Sequence, residues 1–357
     1  MAESPRDWFA STDSAGDWMA VDGPDHDIVV TTRIRLARNV AGFPFRARLD
    51  AAKARAVESH LAERLKKLEL AADQAYLRLA DLSSLETELL FERHCISKDL
   101  ARELDGPRAV FFSRRKNLSV MVNEEDHLRL QVLGPGRSPE ALLEQLCDLD
   151  ARIGAQVAYA THPRFGHLTS CPTNVGTGLR ISVMLHLPAL VWSKEIEKVF
   201  DAAGKMKLAV RGYHGEGTSY VGDFFQVSNQ VTLGKSVDRL LADVTKVLPK
   251  LVDWERDVRR GVRKEKTRTL EDRIWRAYGV LRHARRMTST EAIELLSSVR
   301  LGVCLGLLPQ LPLRLVNELL VLSQPAHVQL LAGRELDDDS RDLARADYLR
   351  KRLAETG

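Results

Sequence analysis

Residues 167–186 read HLTSCPTNVGTGLRISVMLH, which puts a thiol at Cys171 and a permanent cation at Arg180 on either side of a glycine-bearing loop. Three other segments carry fixed charges at short spacing: Arg33 and Arg35 in VVTTRIRLA, Glu125 and Arg129 in NEEDHLRLQV, and Arg211 and Glu216 in KLAVRGYHGEGTS. Guanidinium forks bind phosphoryl oxygens bidentately and keep their charge, so such a set of arginines suits a polyphosphate. The same polyphosphate would repel Glu125 and Glu216. Their natural partner is a cation, the group that receives the phosphoryl. Any one of these arginine–glutamate pairs, taken alone, reads more simply as a surface salt bridge. It is their joint placement on several strands that points to a site.

Strand alternation supplies that placement. In VVTTRIRLA it sends Val30, Thr32, Ile34 and Leu36 to one face and Thr31, Arg33 and Arg35 to the other, with the two arginines roughly 7 Å apart at about 3.3 Å of rise per residue. In NEEDHLRLQV the apolar set is Leu128, Leu130 and Val132, which leaves Glu125, His127, Arg129 and Gln131 together on the opposite face. In the third segment Leu208 and Val210 point inward, Arg211 points outward and Glu216 follows in a loop. Three strands thus offer Arg, Glu and Arg to one surface.

From residue 27 to about 235, short β-rich runs alternate with amphipathic helical runs, which predicts a mixed α+β domain. Beyond about 236 only helical periodicity remains, punctuated by Pro309, Pro312 and Pro325. The expected organisation is a flexible segment over 1–25, a catalytic domain over 26–250 with a mainly antiparallel sheet flanked by helices, and an all-α domain over 251–357. A chain of 357 residues that is 44% hydrophobic and 29% charged has ordinary globular composition. It shows no signal peptide and no stretch approaching about 18 uncharged apolar residues, so a cytoplasmic protein without membrane association is expected. Cys95, Cys147, Cys171 and Cys304 lack CxxC spacing and encode neither a zinc ribbon nor a disulfide framework. A net charge of +4 implies no polyanion partner, and the basic run RRGVRKEKTR at 259–268 reads as a solvated helix face. There is no GxxxxGK[ST] loop and no HRD or DFG set, which excludes the Walker and protein-kinase nucleotide sites.

The motifs TTRIRLAR, NEEDHLR, CPTNVGTGLR and VRGYHGEGT, in this order between residues 31 and 218, resemble the catalytic domain of the phosphagen kinases, the family of arginine and creatine kinases. Within that family the likeness is greatest to the bacterial protein-arginine kinases. Arg33 arrives without the N-terminal helical domain of the small-molecule enzymes, and a helical extension follows the catalytic segment. Within that extension RDLARA at 341–346 resembles those kinases' RDxxRA motif. The resemblance implies that Arg33, Arg35, Arg129, Arg180 and Arg211 clamp the phosphates of ATP. The wider nucleotide set it implies adds Thr32, Ile34, His94, Ile181, Ser182, Val183, Met184, Gly212, Tyr213, His214, Gly215 and Glu216. Glu125 and Glu216 correspond to the family's catalytic carboxylates and Cys171 to its reactive cysteine. Arg341, Asp342, Arg345 and Ala346 correspond to an allosteric phosphoarginine site. The resemblance further implies Mg²⁺ held mainly by the nucleotide, a role in bacterial stress response, and phosphoarginine marking proteins, a heat-shock repressor among them, for a Clp protease. An McsA-like activator and a homo-oligomer complete the expected partners.

Phosphorylating arginine is demanding because the lone pairs of the guanidinium are delocalised over a cation with a pKa above about 12. Two carboxylates and a thiolate can hold it in plane, align one nitrogen with the γ-phosphorus and accept its proton. Two other readings stay open: a free-arginine kinase using the same site, and a non-enzymatic phosphoarginine- or nucleic-acid-binding module.

Overall fold

The computed structural model describes Trp8 and residues 15–68, 70, 73–102, 106–212 and 221–356. Ten strands occur among them: β1 (Val29–Arg38), β2 (Gln74–Arg78), β3 (Ala109–Ser113), β4 (Leu118–Val122), β5 (Leu128–Pro135), β6 (Thr161–His162), β7 (Gly166–His167), β8 (Leu179–His186), β9 (Leu208–Arg211) and β10 (Phe224–Asn229). Eight form one sheet in the order β2-β3-β4-β5-β1-β8-β10-β9, every neighbouring pair antiparallel, and β6 and β7 form a separate hairpin. The helices are α1 (Ala51–Lys67), α2 (Ser84–Glu92), α3 (Lys98–Ala101), α4 (Pro139–Gly154), α5 (Pro188–Trp192), α6 (Ile196–Lys205), α7 (Val237–Thr245), α8 (Leu248–Glu265), α9 (Thr267–His283), α10 (Ser289–Cys304), α11 (Leu313–Leu322), α12 (Pro325–Ala332) and α13 (Asp338–Ala354).

The two faces of the sheet are covered differently. Beneath it, Ile34, Leu130, Ile181 and Val227 pack against Leu61 of α1, Leu146 of α4, Val244 of α7 and Leu251 of α8 in one continuous core. On the other face Val110, Phe112 and Met121 meet α2 at one end. At the other end Val30, Leu133, Met184 and Phe224 meet helices α9, α10, α11 and α13. The middle of this second face carries the arginines. Apolar layers on both sides thus hold a polar strip rigidly at the centre of the sheet.

Several details depart from strict patterning. A register shift between Val29 and Thr31 puts Val29 in the lower core and Val30 with Trp18 and Met184 on the upper face, so Val30 does not share a face with Ile34 as alternation predicts. The segment 1–25, expected to be flexible, contains Ala15, Trp18 and Met19 fully buried against Leu133 and the C-terminal helices. The short 3₁₀ turn Asp17–Met19 is too brief for periodicity to betray. The expected boundary at 250/251 falls inside α8, whose Leu248, Leu251 and Val252 belong to the lower core.

A buried polar knot joins sheet and helices. Arg300 of α10 is fully buried and donates to the carbonyls of His26 and Asp27 at 2.7 and 2.9 Å, to Asn317 Oδ1 at 3.0 Å and to His186 Nδ1 at 2.9 Å. Beside it Arg259 donates to Glu255 at 2.7 Å, and Glu255 accepts from the backbone N–H groups of Ala189 and Leu190 at the start of α5. Among the described residues, no helix is long and apolar enough to cross a membrane.

Candidate active site

Five adjacent strands, β5-β1-β8-β10-β9, build the upper strip. Cross-strand partners share a face, so the registers decide which side chains meet. Arg35 lies opposite Gln131 on β5 and Arg180 on β8; Arg33 lies opposite Leu133 and Ser182; Arg211 lies opposite Gln226. Arg33 donates to Gln226 Oε1 at 2.9 Å and Arg180 to Ser228 Oγ at 3.1 Å. The Nε of Arg35 is buried and has no hydrogen-bond partner among the described residues.

These cations compress one another. Burial pushes the Arg33 pKa down to about 10, with the charges of Arg180 and Arg129 adding to it. Arg35 is lowered as well, by burial and then by Arg33, Arg129 and Arg180. Guanidinium stays protonated at neutral pH all the same. Burial is the largest cause of the depression; the part contributed by the neighbouring arginines reflects a concentrated positive potential, which a bound polyphosphate would relieve.

At the β5 end the sign changes. Asn123 takes a left-handed φ of 58°, and residues 123–127 turn over to deliver three acids before β5 begins. Arg129 is clamped by Glu124 and by Glu125 Oε2, the latter at 3.0 Å. Burial works against the Arg129 charge, but these two carboxylates overcome it and raise its pKa. Burial likewise raises the Glu125 carboxyl above its ordinary value; Asp126 and Glu124 add to the shift, while Arg129 and a hydrogen bond from Cys171 oppose it. Asp126 accepts from Asn39 Nδ2 at 2.6 Å and from the Ser170 backbone N–H at 2.7 Å, so it fastens the Cys171 loop to the acidic turn. Cys171 Sγ lies 3.0 Å from Thr173 Oγ1. The loop ends at Gly178, where a φ of 65° and the Ala37 carbonyl oxygen, 2.6 Å from where a Cβ would stand, leave room for glycine alone.

At the opposite end lies a small apolar pocket lined by Trp18, Thr31, His94, Leu133 and Met184, with Arg33, Ser182 and Gln226 as its polar wall. His94 sits at a left-handed φ of 57° just past α2, edge-on to Trp18 at 4.9 Å, and its carbonyl accepts from Gln131 at 2.7 Å. An apolar pocket, a row of cations and a carboxylate–thiol pair therefore follow one another across the strip. That sequence fits a base, a polyphosphate and a guanidinium acceptor.

Of the expected nucleotide residues, Arg33, His94, Ser182 and Met184 line the pocket. Arg35, Arg129, Arg180 and Arg211 belong to the cationic row by register, and Gly212 directly follows Arg211 at the end of β9. Ile34, Ile181 and Val183 turn into the lower core, and the Thr32 hydroxyl donates to the Gly136 carbonyl at 2.7 Å. These four support the strip from below, as alternation requires of residues flanking the arginines. Tyr213, His214, Gly215 and Glu216 lie outside the described residues. His127 does not share the site face: it is buried in the acidic turn, with Nδ1 accepting from Val40 N–H and Nε2 beside the Pro44 carbonyl. Sequence reasoning missed Asp126, Gln226, Ser228 and Trp18. The alternation in FFQVSN carried a signal for Gln226 and Ser228; Trp18 had none.

In the C-terminal domain the RDLARA residues separate. Arg345 is fully buried and donates to the carbonyls of Ser323 and Met287 at 2.7 and 2.8 Å and to Asp342 at 2.7 Å. Ala346 is in the helical core. Only Arg341, half-buried, reaches an open groove of about 620 Å³, which it lines with Glu88, Ser289, Gln324, Gln329 and Glu335. In this arrangement carbonyls and Asp342 engage the Nε and Nη1 of Arg345, so of the two arginines expected to grip one phosphate Arg341 alone lines the groove.

Residues 56–258 match the family described as the C-terminal catalytic domain of ATP:guanido phosphotransferases, and residues 267–357 match the C-terminal domain of the protein-arginine kinase McsB. A lombricine kinase structure shares the fold with a TM-score of 0.59 at 25% identity, over 68% of this chain and 70% of its own. A duplicated taurocyamine kinase from Schistosoma mansoni gives 0.60 at 24%, over 69% of this chain, which spans 37% of that longer one. Fold and site together define an ATP-dependent phosphotransferase of the phosphagen-kinase type. Among curated relatives, the protein-arginine kinase of Desulforamulus reducens is 43% identical, with 94% of this chain and 95% of its own length covered. That of Geobacillus kaustophilus is 42% identical over 94% and 93%. The chain belongs to the protein-arginine kinase family, whose members phosphorylate arginine side chains of proteins.

Proposed function

We propose that this strip transfers the γ-phosphoryl group of MgATP to a protein arginine held by Glu125 and Cys171, with Glu216 as the second carboxylate that the resemblance implies. The observation that carries the assignment is Glu125: it bridges Arg129, the last cation of the row, and Cys171, the first group beyond it. Arg33, Arg35, Arg129, Arg180 and Arg211 hold the phosphates and stabilise the charge that spreads over the phosphoryl oxygens. Glu125 orients one guanidinium nitrogen in line with the γ-phosphorus and takes its proton as the N–P bond forms, while ADP leaves with the electrons of the broken P–O bond. Among the described residues no cluster of three His, Cys, Asp or Glu is arranged to hold a metal. Mg²⁺, which the resemblance implies is held mainly by the nucleotide, would supply further charge neutralisation at the phosphates.

The cellular setting rests on resemblance: a cytoplasmic homo-oligomer acting in bacterial stress response, with an McsA-like activator, a heat-shock repressor among its substrates, and Clp proteolysis of the marked proteins. Allosteric control by phosphoarginine belongs to the same reading, with Arg341 in its groove as the contact. Arg341→Ala is expected to abolish stimulation by added phosphoarginine, measured as the ratio of rates with and without it. The central test is incubation with labelled ATP, Mg²⁺ and either a denatured basic protein or free arginine. Acid-labile label on the protein is the expected result. Label on free arginine at low millimolar concentration, with none on protein, would instead make the chain a phosphagen kinase.

A further inference from the structure

Three exposed apolar side chains border the acceptor end of the strip, and no role described above uses them. Phe165 is 40% exposed at the tip of the β6–β7 hairpin, and Val231 and Leu233, 46% and 47% exposed, follow β10. All three are tied to the Cys171 loop. His167 of the hairpin exchanges both backbone hydrogen bonds with Gly176, at 2.9 and 3.0 Å. Gly166 backs so closely on that residue that a Cβ would stand 2.8 Å from the Gly176 carbonyl oxygen, and a Cβ on Gly176 would stand 3.2 Å from the Leu233 Cα. Between Val231 and Leu233, buried Thr232 sets its hydroxyl 2.7 Å from the Val175 carbonyl and 3.1 Å from that of Thr173. The Phe165 ring is itself braced, stacked on His162 at 4.8 Å with the Arg164 guanidinium 5.4 Å from its centroid. The loop is therefore rimmed by fixed apolar surface on two sides.

A polypeptide that delivers an arginine to Glu125 and Cys171 must cross this rim. Consecutive Cα atoms are about 3.8 Å apart, so the residues flanking the target pass within side-chain reach of it. Covering exposed apolar surface is favourable, and the side chains able to do so are those a folded protein keeps inside. We propose that Phe165, Val231 and Leu233 form a subsite for an apolar side chain of the acceptor polypeptide close to the target arginine. The inference rests on the protein-acceptor reading above.

Two peptides test it, each with a single arginine, one flanked by leucines and the other by serines, offered to the full-length protein with MgATP. Wild type is expected to favour the leucine peptide about tenfold in kcat/KM, chiefly through KM. The Phe165→Ser, Leu233→Ser double variant is expected to bring that ratio toward one. A wild-type ratio of one overturns the proposal without recourse to any variant, and so does a ratio that survives the double substitution. If the double variant changes the size of the protein in solution but not the ratio, a second copy covers the patch and the subsite is refuted. Labelling of neither peptide by an enzyme that labels free arginine strikes at the protein acceptor itself, and is thereby distinguishable from failure of the rim alone.

Discussion

Glu125 stands between unlike neighbours, the Arg129 guanidinium at 3.0 Å and the Cys171 thiol. Glu125→Gln keeps the shape and removes the charge, so ATP binding should persist while transfer falls by about 10² to 10⁴, the range for loss of a positioned base. Equilibrium nucleotide binding and single-turnover transfer, measured on the same preparation, separate the two. Because burial raises the pKa of this carboxyl and the ionised form is the working one, activity should fall with decreasing pH at a higher pH than an ordinary glutamate would give. An acid limb of kcat/KM lying below the usual glutamate value would contradict that assignment. Cys171→Ala should lower turnover less than Glu125→Gln and remove sensitivity to thiol reagents. Cys95 is a poor competitor, being buried with its thiol pushed up to about 11; inactivation of the alanine variant would point to Cys147 or Cys304.

The elements that aim these residues depend on a few end-of-element contacts. Gly178 admits no side chain without meeting the Ala37 carbonyl, so Gly178→Ala should displace the start of β8, and Arg180 with it, weakening nucleotide binding as well as stability. Helix α2 ends at Glu92, whose carboxylate accepts from Ala326 and His327 N–H at 2.8 and 3.1 Å and from the His327 ring at 2.7 Å, capping α12 from another domain. Burial pushes Glu92 up to about 7 against the pull of those two N–H groups. A raised carboxyl takes up a proton on folding, so its contribution to stability is complete below the ordinary value of 4.5 and is lost as pH rises through about 7. Thermal unfolding across that window should show a decline that Glu92→Gln removes, worth at most about 3.5 kcal/mol at about 1.4 kcal/mol per pKa unit. The strand residues of the site were legible because period-two alternation is local: Arg33, Arg129 and Arg211 were assigned their face correctly. What was not legible depends on partners distant in sequence. The bulge before Thr31 reverses Val30, the acidic turn hides His127, and nothing near Arg345 announces the carbonyls of Met287 and Ser323.

Across the whole molecule, three apolar clusters share one sheet, and the joint between the lower core and the C-terminal helices is polar. Arg300→Leu would leave the His26 and Asp27 carbonyls and Asn317 Oδ1 buried without their donor, at a cost of about 3–5 kcal/mol. Calorimetry should then resolve the single unfolding transition into two, with the helical domain melting apart from the sheet. The α+β character and the helical second half could be read from periodicity. The joint could not, since Arg300 lies in an ordinary amphipathic helix and its partners stand more than 270 residues away at Asp27 and His26. One consequence reaches from end to end of the chain. Glu92 and His94 are neighbours but one, the first holding the start of α12 and the second facing the pocket assigned to the base. Filling that pocket should slow deuterium uptake at the amides of Ala326 and His327, far from any contact with nucleotide, and Glu92→Gln should uncouple them, so that two backbone hydrogens in the C-terminal domain report whether the distant pocket is occupied.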